Sequence, residues 1–541
     1  MPKASGASAS PDTSSLLDEA VLTDFANRLR TADYTVDAIS DLLGAEALSS
    51  IPLCTVVAKD VLSRDTATTT DRALAILTLL FVCATSVTVK NVEEVLPAAS
   101  VEGLLRIGVL AAEGESTASA VRTNFDVRPY SFTDERSTSE GVNLVVLSDL
   151  GTDQTGQPLP RDYVLGIGQA SLTLAGLIPR TPVERALDLG CGCGIQTFHL
   201  LRHADHVTAT DISQRALDIT RANLLLNAQA LDIDPDNLEQ RVTLVQGSLL
   251  EPVAEQRFDL IATNPPFVIT PRSLSERAED QYTYRDGGQP GDRLVAELVS
   301  GVSEHLATGA SAFMLANWEM TDLHDPFAGP RTWAHPDASA WFVQREVESP
   351  AEYALTWLRD AGEDMDSARY EQQLKRYLDD FDSRNVAGIG FGYVLVHRQI
   401  AVPAWHRFEA VSQALSAPMG NWWARAVVLQ DALQALGDAA FGELKLAVRE
   451  DVTEERHHTP GAEHPQIIML RQGSGWRRTR QLDTASAGFV SACDGTLSVR
   501  AIIGALEALL EPEDENFAQA LLDEARQLVL LGFLDAATLG R

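Results

Sequence analysis

The sequence has little cysteine and shows no pairing pattern among the cysteines that it has. Five cysteines are scattered through 541 residues, and their number is odd. A disulfide-stabilised scaffold needs an even set of closely spaced cysteines. The composition therefore excludes a disulfide framework and predicts a protein of the reducing cytoplasm.

Positive charge is also scarce. Lys and Arg number 43 against 76 Asp and Glu, which gives a formal net charge of −33. Non-specific binding to nucleic acid or to anionic membranes depends on a positive surface. The charge balance therefore disfavours both and leaves room only for a local basic patch.

Long hydrophobic runs are absent as well. The most apolar stretch, residues 73–89, is slightly short for a membrane span and is interrupted by Thr and Ser. It predicts a buried helix that runs into a strand, so no membrane anchor is expected. Residues 1–15 carry no apolar core, so they are not a secretory signal and are predicted to be a disordered tail.

The first part of the chain is predicted to be helical. Residues 16–120 read mainly as helices, with a helix–turn–helix rhythm and a short apolar hairpin at the end. This pattern predicts a winged-helix-like N-terminal domain. Residues 121–180 contain strand patterns, a loop rich in Gly, Pro and Asp, and one helix, and they lead into the next domain.

The middle of the chain changes to alternating strands and helices. Over residues 181–400 this alternation predicts an α/β domain with a doubly wound, mostly parallel sheet. A helical insertion is expected before a last apolar strand at 386–398. Residues 401–541 predict a separate α+β domain that ends in a second winged-helix-like unit.

The first strand of this middle region runs into a glycine-rich loop, D-L-G-C-G-C-G, at residues 188–194. Glycines let the backbone approach a ligand closely, and the loop falls at the sheet edge where open α/β folds bind ligands. The spacing is not that of a dinucleotide fingerprint, because Ile195 stands where the third glycine is needed. Asp211 lies 19 residues beyond Gly192, where a carboxylate can accept hydrogen bonds from a ribose.

A second stretch, I-A-T-N-P-P-F at residues 261–267, ends an apolar strand in an unusual way. Proline cannot donate to a sheet, so the strand must stop there. The side chain of Asn264 and the backbone carbonyl of Pro265 offer two acceptors, which can hold both hydrogens of a planar amino group. Pro266 fixes the backbone and removes a competing donor, and Phe267 can stack on a flat target.

Two such acceptors suit reaction at a poorly nucleophilic nitrogen. The lone pair of an amide or an aromatic amine is delocalised. Holding both N–H groups out of line favours a pyramidal nitrogen and aims its lone pair at an electrophile. No strong general base is required, since the proton can leave after the transfer.

Together, the glycine loop, the second-strand acid and N-P-P-F resemble the class I S-adenosylmethionine-dependent methyltransferases over roughly residues 160–320. The resemblance implies a Rossmann-like sheet, S-adenosylmethionine as cofactor and methyl transfer to a planar nitrogen. It implies that the cofactor is bound by Asp188, Gly190, Cys191, Gly192, Gly194, Asp211, Ile212, Ser248 and Asn264. It also implies an acceptor site formed by Asn264, Pro265, Pro266 and Phe267.

Among these enzymes the chain looks closest to HemK-type glutamine methyltransferases, and it also resembles small-domain ribosomal RNA methyltransferases. A large N-terminal helical domain and a Gly-Gly segment, here Y-R-D-G-G-Q-P-G-D at 284–292, are shared with the HemK type. Two positions depart from the pattern. Ser248 stands where the third strand usually ends in Asp, and Phe267 stands where the HemK type more often has Tyr.

The substrate predicted from this resemblance is a protein glutamine amide, which the net acidity favours slightly. An exocyclic amino group of an RNA or DNA base is the alternative. A small-molecule N-methyltransferase and a protein that binds the cofactor without catalysis are further alternatives.

One basic stretch bears on the RNA alternative. R-Q-G-S-G-W-R-R-T-R, residues 471–480, stands out in an acidic chain, because Arg with Trp can grip phosphate and stack a base. The residues that would make such contacts are Arg471, Trp476, Arg477, Arg478 and Arg480. An exposed hairpin is the favoured interpretation.

No metal site is predicted. Cys191 and Cys193 form a C-x-C pair without a second pair, so they are interpreted as small residues that fill the loop. His457, His458 and His464 cluster in a polar stretch that is interpreted as a solvated loop.

Overall fold

The computed structural model describes residues 10–113, 119–133, 141–272, 283–361, 367–411, 413, 415 and 418–536. The N-terminal region is helical and ends in a small antiparallel sheet with strand order β1-β3-β2. Its helices are α1 (Glu19–Thr31), α2 (Val36–Leu43), α3 (Ile51–Ser63), α4 (Thr69–Leu77), α5 (Val89–Val92) and α6 (Ala98–Arg106). Its strands are β1 (Val87–Thr88), β2 (Leu110–Glu113) and β3 (Ala120–Thr123). The element order is four helices, β1, two further helices and then the hairpin β2–β3, and the winged-helix interpretation stays a prediction.

Local sequence explains where these helices start. A polar side chain precedes each of the first four helices and accepts a hydrogen bond from a backbone N–H of the first turn, which satisfies a donor that the helix leaves unpaired. These capping residues are Asp18, Thr35, Ser50 and Thr68.

The apolar run at 73–89 is a buried helix that continues into a strand, as predicted. α4 leads into a π-helical turn, Thr78–Val82, and β1 follows. Residues 74–83 are all buried. In the described part of the chain, no helix combines the length and the apolarity needed to cross a membrane.

The disordered tail predicted for residues 1–15 extends too far toward the C-terminus. Residues 1–9 lie outside the described residues, but residues 10–15 lie against the protein. Thr13 is buried, and its hydroxyl donates to the carboxylate of Asp218 at 2.9 Å. A 3-10 turn, Ser14–Leu17, follows and buries Leu16.

The segment between the two predicted domains forms a hairpin. Strands β4 (Phe125–Phe132) and β5 (Val142–Asp149) pair antiparallel, and helices α7 (Thr152–Thr155) and α8 (Gln169–Leu177) follow. Asn223 binds both the N–H and the C=O of Leu147 in β5 at 2.8 Å. Because Asn223 lies in the next domain along the chain, the hairpin is joined to that domain by side-chain hydrogen bonds.

The central sheet has eight strands in the order β13-β11-β12-β10-β9-β6-β7-β8. They are β6 (Val183–Leu189), β7 (Ala204–Asp211), β8 (Val242–Gln246), β9 (Phe258–Thr263), β10 (Leu306–Met320), β11 (Ser339–Glu348), β12 (Gly388–His397) and β13 (His406–Ala410). The helices are α9 (Ile195–Leu201), α10 (Gln214–Leu226), α11 (Ala228–Leu231), α12 (Arg293–Gly301), α13 (Pro350–Asp360) and α14 (Ala368–Ser383). Five neighbouring strands, from β8 to β10, are parallel, and β12 is antiparallel to both of its neighbours.

Both faces of this sheet are covered. Alternate residues of β9 enter different core clusters: Leu260 and Ala262 join the cluster that includes the N-terminal helices, while Ile261 joins the opposite one. A strand buried on both faces reads as a continuous apolar run, which is the pattern seen in the sequence. The fold class predicted from the sequence, a Rossmann-like sheet with flanking regions, is confirmed.

Two strands were missed. The region between β10 and β12, predicted to be a helical insertion, contains β11 before its helices α13 and α14. The sheet also extends past the predicted boundary at residue 400, because β13 pairs in parallel with β11.

The C-terminal region is α+β. Its helices are α15 (Gly420–Ala435), α16 (Asp438–Gly442), α17 (Thr484–Ser491), α18 (Val499–Leu510) and α19 (Phe517–Leu530). Its strands are β14 (Lys445–Val448), β15 (Val452–His457), β16 (Ile467–Gln472), β17 (Thr479–Leu482), β18 (Asp494–Ser498) and β19 (Leu534–Ala536). They form two three-stranded sheets, β18-β14-β19 and β15-β16-β17.

Candidate active site

A cavity of about 500 Å³ opens where the central strands end. Pairing brings Leu189 of β6 level with Thr210 of β7 and with Thr263 of β9, so the loops that follow these strands meet at one edge. Nine of the predicted site residues line this cavity: Gly190, Cys191, Gly192, Asp211, Ile212, Ser248, Asn264, Pro265 and Pro266. Three do not: Asp188, Gly194 and Phe267.

The glycine loop turns back over the end of β7. The backbone N–H groups of Gly190 and Cys191 both donate to the carbonyl of Thr210 at 2.9 Å. All three loop glycines have positive φ, a region that residues with a Cβ rarely adopt. At Gly194, φ is +96°, and a Cβ would lie 3.2 Å from both Phe198 and Thr220. Gly194 therefore serves the packing of α9, which is why it lies behind the cavity wall.

Asp188 lies beneath the loop and is almost completely buried. Its carboxylate accepts a hydrogen bond from the hydroxyl of Thr197 at 2.6 Å. Burial raises the pKa of Asp188 to about 7, although the Thr197 hydrogen bonds act against the shift. Asp188 is not among the described residues that line the cavity, and its predicted contact with the cofactor stays a prediction.

Asp211 ends β7 with its carboxylate already oriented. One oxygen accepts from the N–H of Gly192 at 3.0 Å and the other from the N–H of Ser213 at 2.9 Å. Burial raises the pKa of Asp211, and these backbone hydrogen bonds act against the shift. Each carboxylate oxygen has two lone pairs, so both retain capacity for a ligand hydroxyl.

Next to Asp211, the cavity wall includes the apolar residue Ile212 and the polar residue Ser248. Ile212 lines the cavity while its side chain is 57% exposed, so it offers an apolar face to a flat ring. Ser248 lines the cavity at the end of β8, as predicted, and its backbone carbonyl accepts from the N–H of Glu251.

Asn264 places an unpaired acceptor at the cavity. Its Oδ1 atom is buried and has no hydrogen-bond partner among the described residues. The hydroxyl of Thr263 donates to the carbonyl of Leu189 at 2.8 Å, which fixes the end of β9 beside the glycine loop. On the other side, a Cβ at Gly287 would lie 3.0 Å from the carbonyl oxygen of Pro266, so the Gly-Gly segment approaches the motif closely. A buried oxygen without a donor is costly unless a ligand supplies one.

Phe267 was predicted to stack on the target group, and the structure places it elsewhere. The ring contacts three apolar core clusters and lies 6.4 Å, edge to face, from Trp357. It is not among the described residues that line the cavity, so its stacking on a target group stays a prediction.

Sequence reasoning missed Gln196, which also lines the cavity. Its Nε2 donates to the carbonyl of Ser171 in α8 at 2.7 Å, and its Oε1 is buried with no partner among the described residues. The only sequence signal is its position, two residues after Gly194. Two aromatic residues of the wall, Tyr163 and Tyr284, were also missed as site residues: Tyr163 lies in no motif, and Tyr284 was read only as the start of the Gly-Gly segment.

The basic stretch at 471–480 packs its tryptophan inside the protein. It forms the hairpin β16–β17, with Trp476 buried between the rings of Trp341 and Trp423. Three of its arginines are held in ion pairs, Arg471 with Glu455, Arg478 with Glu409 and Arg480 with Glu524. Arg477 is exposed. The predicted contact is therefore wrong in its central residue, because Trp476 cannot stack on a base.

The cysteines and histidines are dispersed. Cys191 and Cys193 are buried, and burial raises the pKa of Cys193 to about 12, so that thiol is protonated at neutral pH. His457 ends β15, and the other two histidines follow it in exposed positions. Within the described ranges, no group of three or more His, Cys, Asp and Glu side chains could hold a metal ion.

Comparison with known proteins matches two parts of the chain to family models. Residues 166–278, which include the glycine loop and N-P-P-F, match the methyltransferase small domain family. Residues 31–122, most of the N-terminal region, match a domain of unknown function, DUF7059.

Three relatives carry related sequences. The chain is 35% identical to a ribosomal protein uL3 glutamine methyltransferase of Bradyrhizobium diazoefficiens over 132 residues, 23% of this chain and 38% of that protein. It is 28% identical to a release factor glutamine methyltransferase of Geobacter sulfurreducens over 190 residues, 30% of this chain and 60% of that protein. It is 28% identical to a ribosomal RNA small subunit methyltransferase C of an Enterobacter species over 150 residues, 27% of this chain and 35% of that protein. The chain therefore spans less than two thirds of the length of each.

Proposed function

We propose that the chain is an S-adenosylmethionine-dependent methyltransferase that methylates the side-chain amide of a protein glutamine. The observation that carries this proposal is the buried, unpartnered Oδ1 atom of Asn264 in a cavity that the glycine loop also lines. An enzyme that modifies amide nitrogen needs such an acceptor, because it must hold and orient an –NH2 group.

The cavity residues fit S-adenosylmethionine. The backbone of the glycine loop would hold its amino-acid part, Asp211 its ribose hydroxyls, and Ile212 and Ser248 the surroundings of its adenine. The unpartnered Oε1 atom of Gln196 suits the α-ammonium group, which must find an acceptor when it leaves water. When bound, the cofactor supplies a methyl group on a sulfonium, which is a strong electrophile.

Asn264 and Pro265 hold the nitrogen that receives the methyl group. Their two oxygens accept hydrogen bonds from the amide –NH2 and hold its lone pair toward the electrophile. Positive charge develops on this nitrogen during transfer. Fixed acceptors therefore bind the transition state more strongly than they bind the planar amide of the ground state. The prolines keep these acceptors free of competing backbone donors.

The charge distribution favours a protein acceptor over a nucleic acid. Formal net charge is −33, and no Arg or Lys is found among the described residues that line the cavity. Relatives named as glutamine methyltransferases are among the matches and support this choice. The exocyclic amino group of an RNA base stays the second candidate, because other relatives are named for ribosomal RNA. The cytoplasm is the expected location for either substrate.

The test compares the wild-type protein with Asn264→Ala and Asn264→Asp, using radiolabelled S-adenosylmethionine and an extract of cells that lack the enzyme. We expect protease-sensitive label that falls on the order of 10²–10³-fold with Asn264→Ala, because an oriented hydrogen-bonding group is lost. Asn264→Asp keeps an acceptor oxygen and should retain more activity than the alanine variant. Calorimetric titration of the cofactor is the control, since it shows whether each variant is saturated with S-adenosylmethionine under the assay conditions.

Other results would redirect the assignment. Label that ribonuclease removes would move the methyl acceptor to RNA. Cofactor binding with no macromolecular label that depends on Asn264 would contradict both candidates.

A further inference from the structure

A second cavity, of about 300 Å³, adjoins the first. It lies between the β4–β5 hairpin, the loop that follows β5, and the start of the Gly-Gly segment. Tyr163, Leu165 and Tyr284 line both cavities, so the two chambers share a wall. Its volume is at the lower end of the range for small-ligand sites, about 300–1,000 Å³. A group bound there would belong to a molecule that also reaches the first cavity.

The charged groups in its wall are mainly acidic. Four carboxylates line it, those of Asp126, Asp149, Asp153 and Asp360, against one guanidinium, that of Arg128. Asp149 and Asp360 are paired with Arg215 at 2.5 Å and with Arg285 at 3.2 Å, respectively, and neither of these arginines lines the cavity. Asp153 is exposed at the start of α7 and would add negative potential at the rim.

Asp126 is the group whose bonding is incomplete. It is only 8% exposed, and its Oδ2 accepts from Nε of Arg128 at 2.5 Å. Its Oδ1 is buried without a hydrogen bond to any described residue. Burial raises the pKa of Asp126 to about 6, and the Arg128 and Gln154 side chains oppose that shift. A buried carboxylate oxygen that lacks a donor is stabilised strongly by a cation with N–H groups.

Aromatic faces complete the wall. The rings of Tyr163 and Tyr284 lie 5.6 Å apart, edge to face. Carboxylates combined with aromatic rings are the surroundings that a guanidinium or ammonium group prefers, because both attract positive charge. An anionic phosphate would meet repulsion from the same groups.

We propose that this second cavity binds an arginine or lysine side chain of the protein that is methylated, close in sequence to its target glutamine. The inference rests on the proposed function and adds a recognition element to it. The substrate would then be a basic segment, which suits the strong negative charge of the whole chain.

The test measures binding without methyl transfer, so its failure is distinct from that of the proposed function. Each short fluorescent peptide carries a central glutamine and a single arginine. The set places the arginine at each of the other positions in turn. Every peptide has a twin in which citrulline replaces the arginine. Citrulline keeps the shape and removes the charge. Anisotropy is recorded with the full-length protein saturated with S-adenosylhomocysteine.

In at least one register the arginine peptide should bind about tenfold more tightly than its citrulline twin, the range for a hydrogen bond to a charged group. Asp126→Asn should abolish this preference, and Asp153→Asn, at an exposed position, should reduce it a few-fold. Glu443→Gln, on the exposed surface of the C-terminal region, is the matched control and should leave the preference intact.

Equal binding of every arginine and citrulline twin to the wild-type protein would overturn the inference, and that comparison requires no variant to fold. A preference that survives both aspartate substitutions would also overturn it. The inference would also be overturned if the protein bound an RNA oligonucleotide and Asp126→Asn weakened that binding.

Discussion

Two side-chain amides meet in the first cavity, and each presents a buried oxygen without a donor. Asn264 follows β9, and Gln196 lies in the first turn of α9. Buried polar atoms in folded proteins are almost always hydrogen-bonded. Two such oxygens, neither with a donor among the described residues, fit the ligands of the proposed function: the ammonium of S-adenosylmethionine and the –NH2 of the amide.

Gln196 is expected to recognise only the amino-acid part of the cofactor. Gln196→Leu should lower the affinity for S-adenosylmethionine about tenfold, because a charge-assisted hydrogen bond is lost. Methylthioadenosine, which has no ammonium group, should bind the variant as it binds the wild-type protein. Titration calorimetry with both ligands measures this difference, and an equal loss for the two would show a general defect of the site.

Asp188 makes the stability of the fold depend on pH. Its pKa in the folded protein, about 7, lies above the ordinary value of 3.8, so the folded state holds the proton more tightly than the unfolded state. Its contribution to stability is therefore fully present at low pH and is lost as pH rises toward 7.

Asp188→Asn cannot ionise and should become more stable relative to the wild-type protein between pH 5 and pH 8. The expected change is on the order of a few kcal/mol, and the amide oxygen can still accept from Thr197. Urea unfolding at both pH values measures it. A stability difference that does not change with pH would contradict this explanation.

At the scale of elements, the loop between β6 and α9 uses its glycines for different purposes. A Cβ at Gly194 would press on Phe198 and Thr220, whereas a Cβ at Gly192 would meet nothing within 4 Å. Both residues have positive φ, so each substitution costs about 1 kcal/mol or more in backbone strain. Only Gly192 lines the cavity.

These two glycines give a matched pair of variants. Gly194→Ala should lower the free energy of unfolding by more than Gly192→Ala, since it adds overpacking of about 1–3 kcal/mol to the strain. Gly192→Ala should retain most of its stability and lose affinity for the cofactor, because its methyl group occupies open space at the cavity. Thermal unfolding and cofactor titration separate the two effects, and the reverse order of stabilities would contradict the assignment.

The sequence could predict the elements that carry a local signal. The run into D-L-G-C-G-C-G and the stop at N-P-P-F place β6, β9 and the edge where they meet, since glycine and proline act through backbone geometry. β11 was not predicted, because its second half, residues 345–348, alternates poorly and lies beside two strongly helical segments. β13 is short and partly exposed, and it becomes a strand only because β11 offers a free edge.

The site could be predicted in part for the same reason. Motif residues such as Asp211 and Asn264 lie where the pattern indicates. Gln196 and Tyr163 reach the cavity through tertiary packing, so no residue spacing in the sequence indicates them. For Phe267 the motif gives the identity of the residue but not the direction of its ring, which lies edge to face with Trp357.

At the scale of the whole molecule, an aromatic and ionic interface joins the C-terminal region to the central sheet. Trp341 of β11 lies 4.6 Å from Trp423 of α15 and 5.0 Å from Trp476, measured between ring centroids. Arg478 pairs with Glu409 of β13 at 2.6 Å, and its guanidinium lies 4.4 Å from the ring of Trp476. The C-terminal region thus packs on the edge of the central sheet that lies farthest from β8.

Trp476→Ala should lower the free energy of unfolding by about 3–5 kcal/mol, because it removes a large buried ring from this interface. Arg477→Ala, one residue away on an exposed side chain, should change it by about 0.5 kcal/mol or less. Calorimetry should show the C-terminal region of the tryptophan variant unfolding ahead of the rest, since its contacts with the sheet are weakened. If this stretch instead served RNA, Arg477→Ala would weaken RNA binding and Trp476→Ala would leave stability unchanged. The burial of Trp476 against two other tryptophans predicts the opposite result for both.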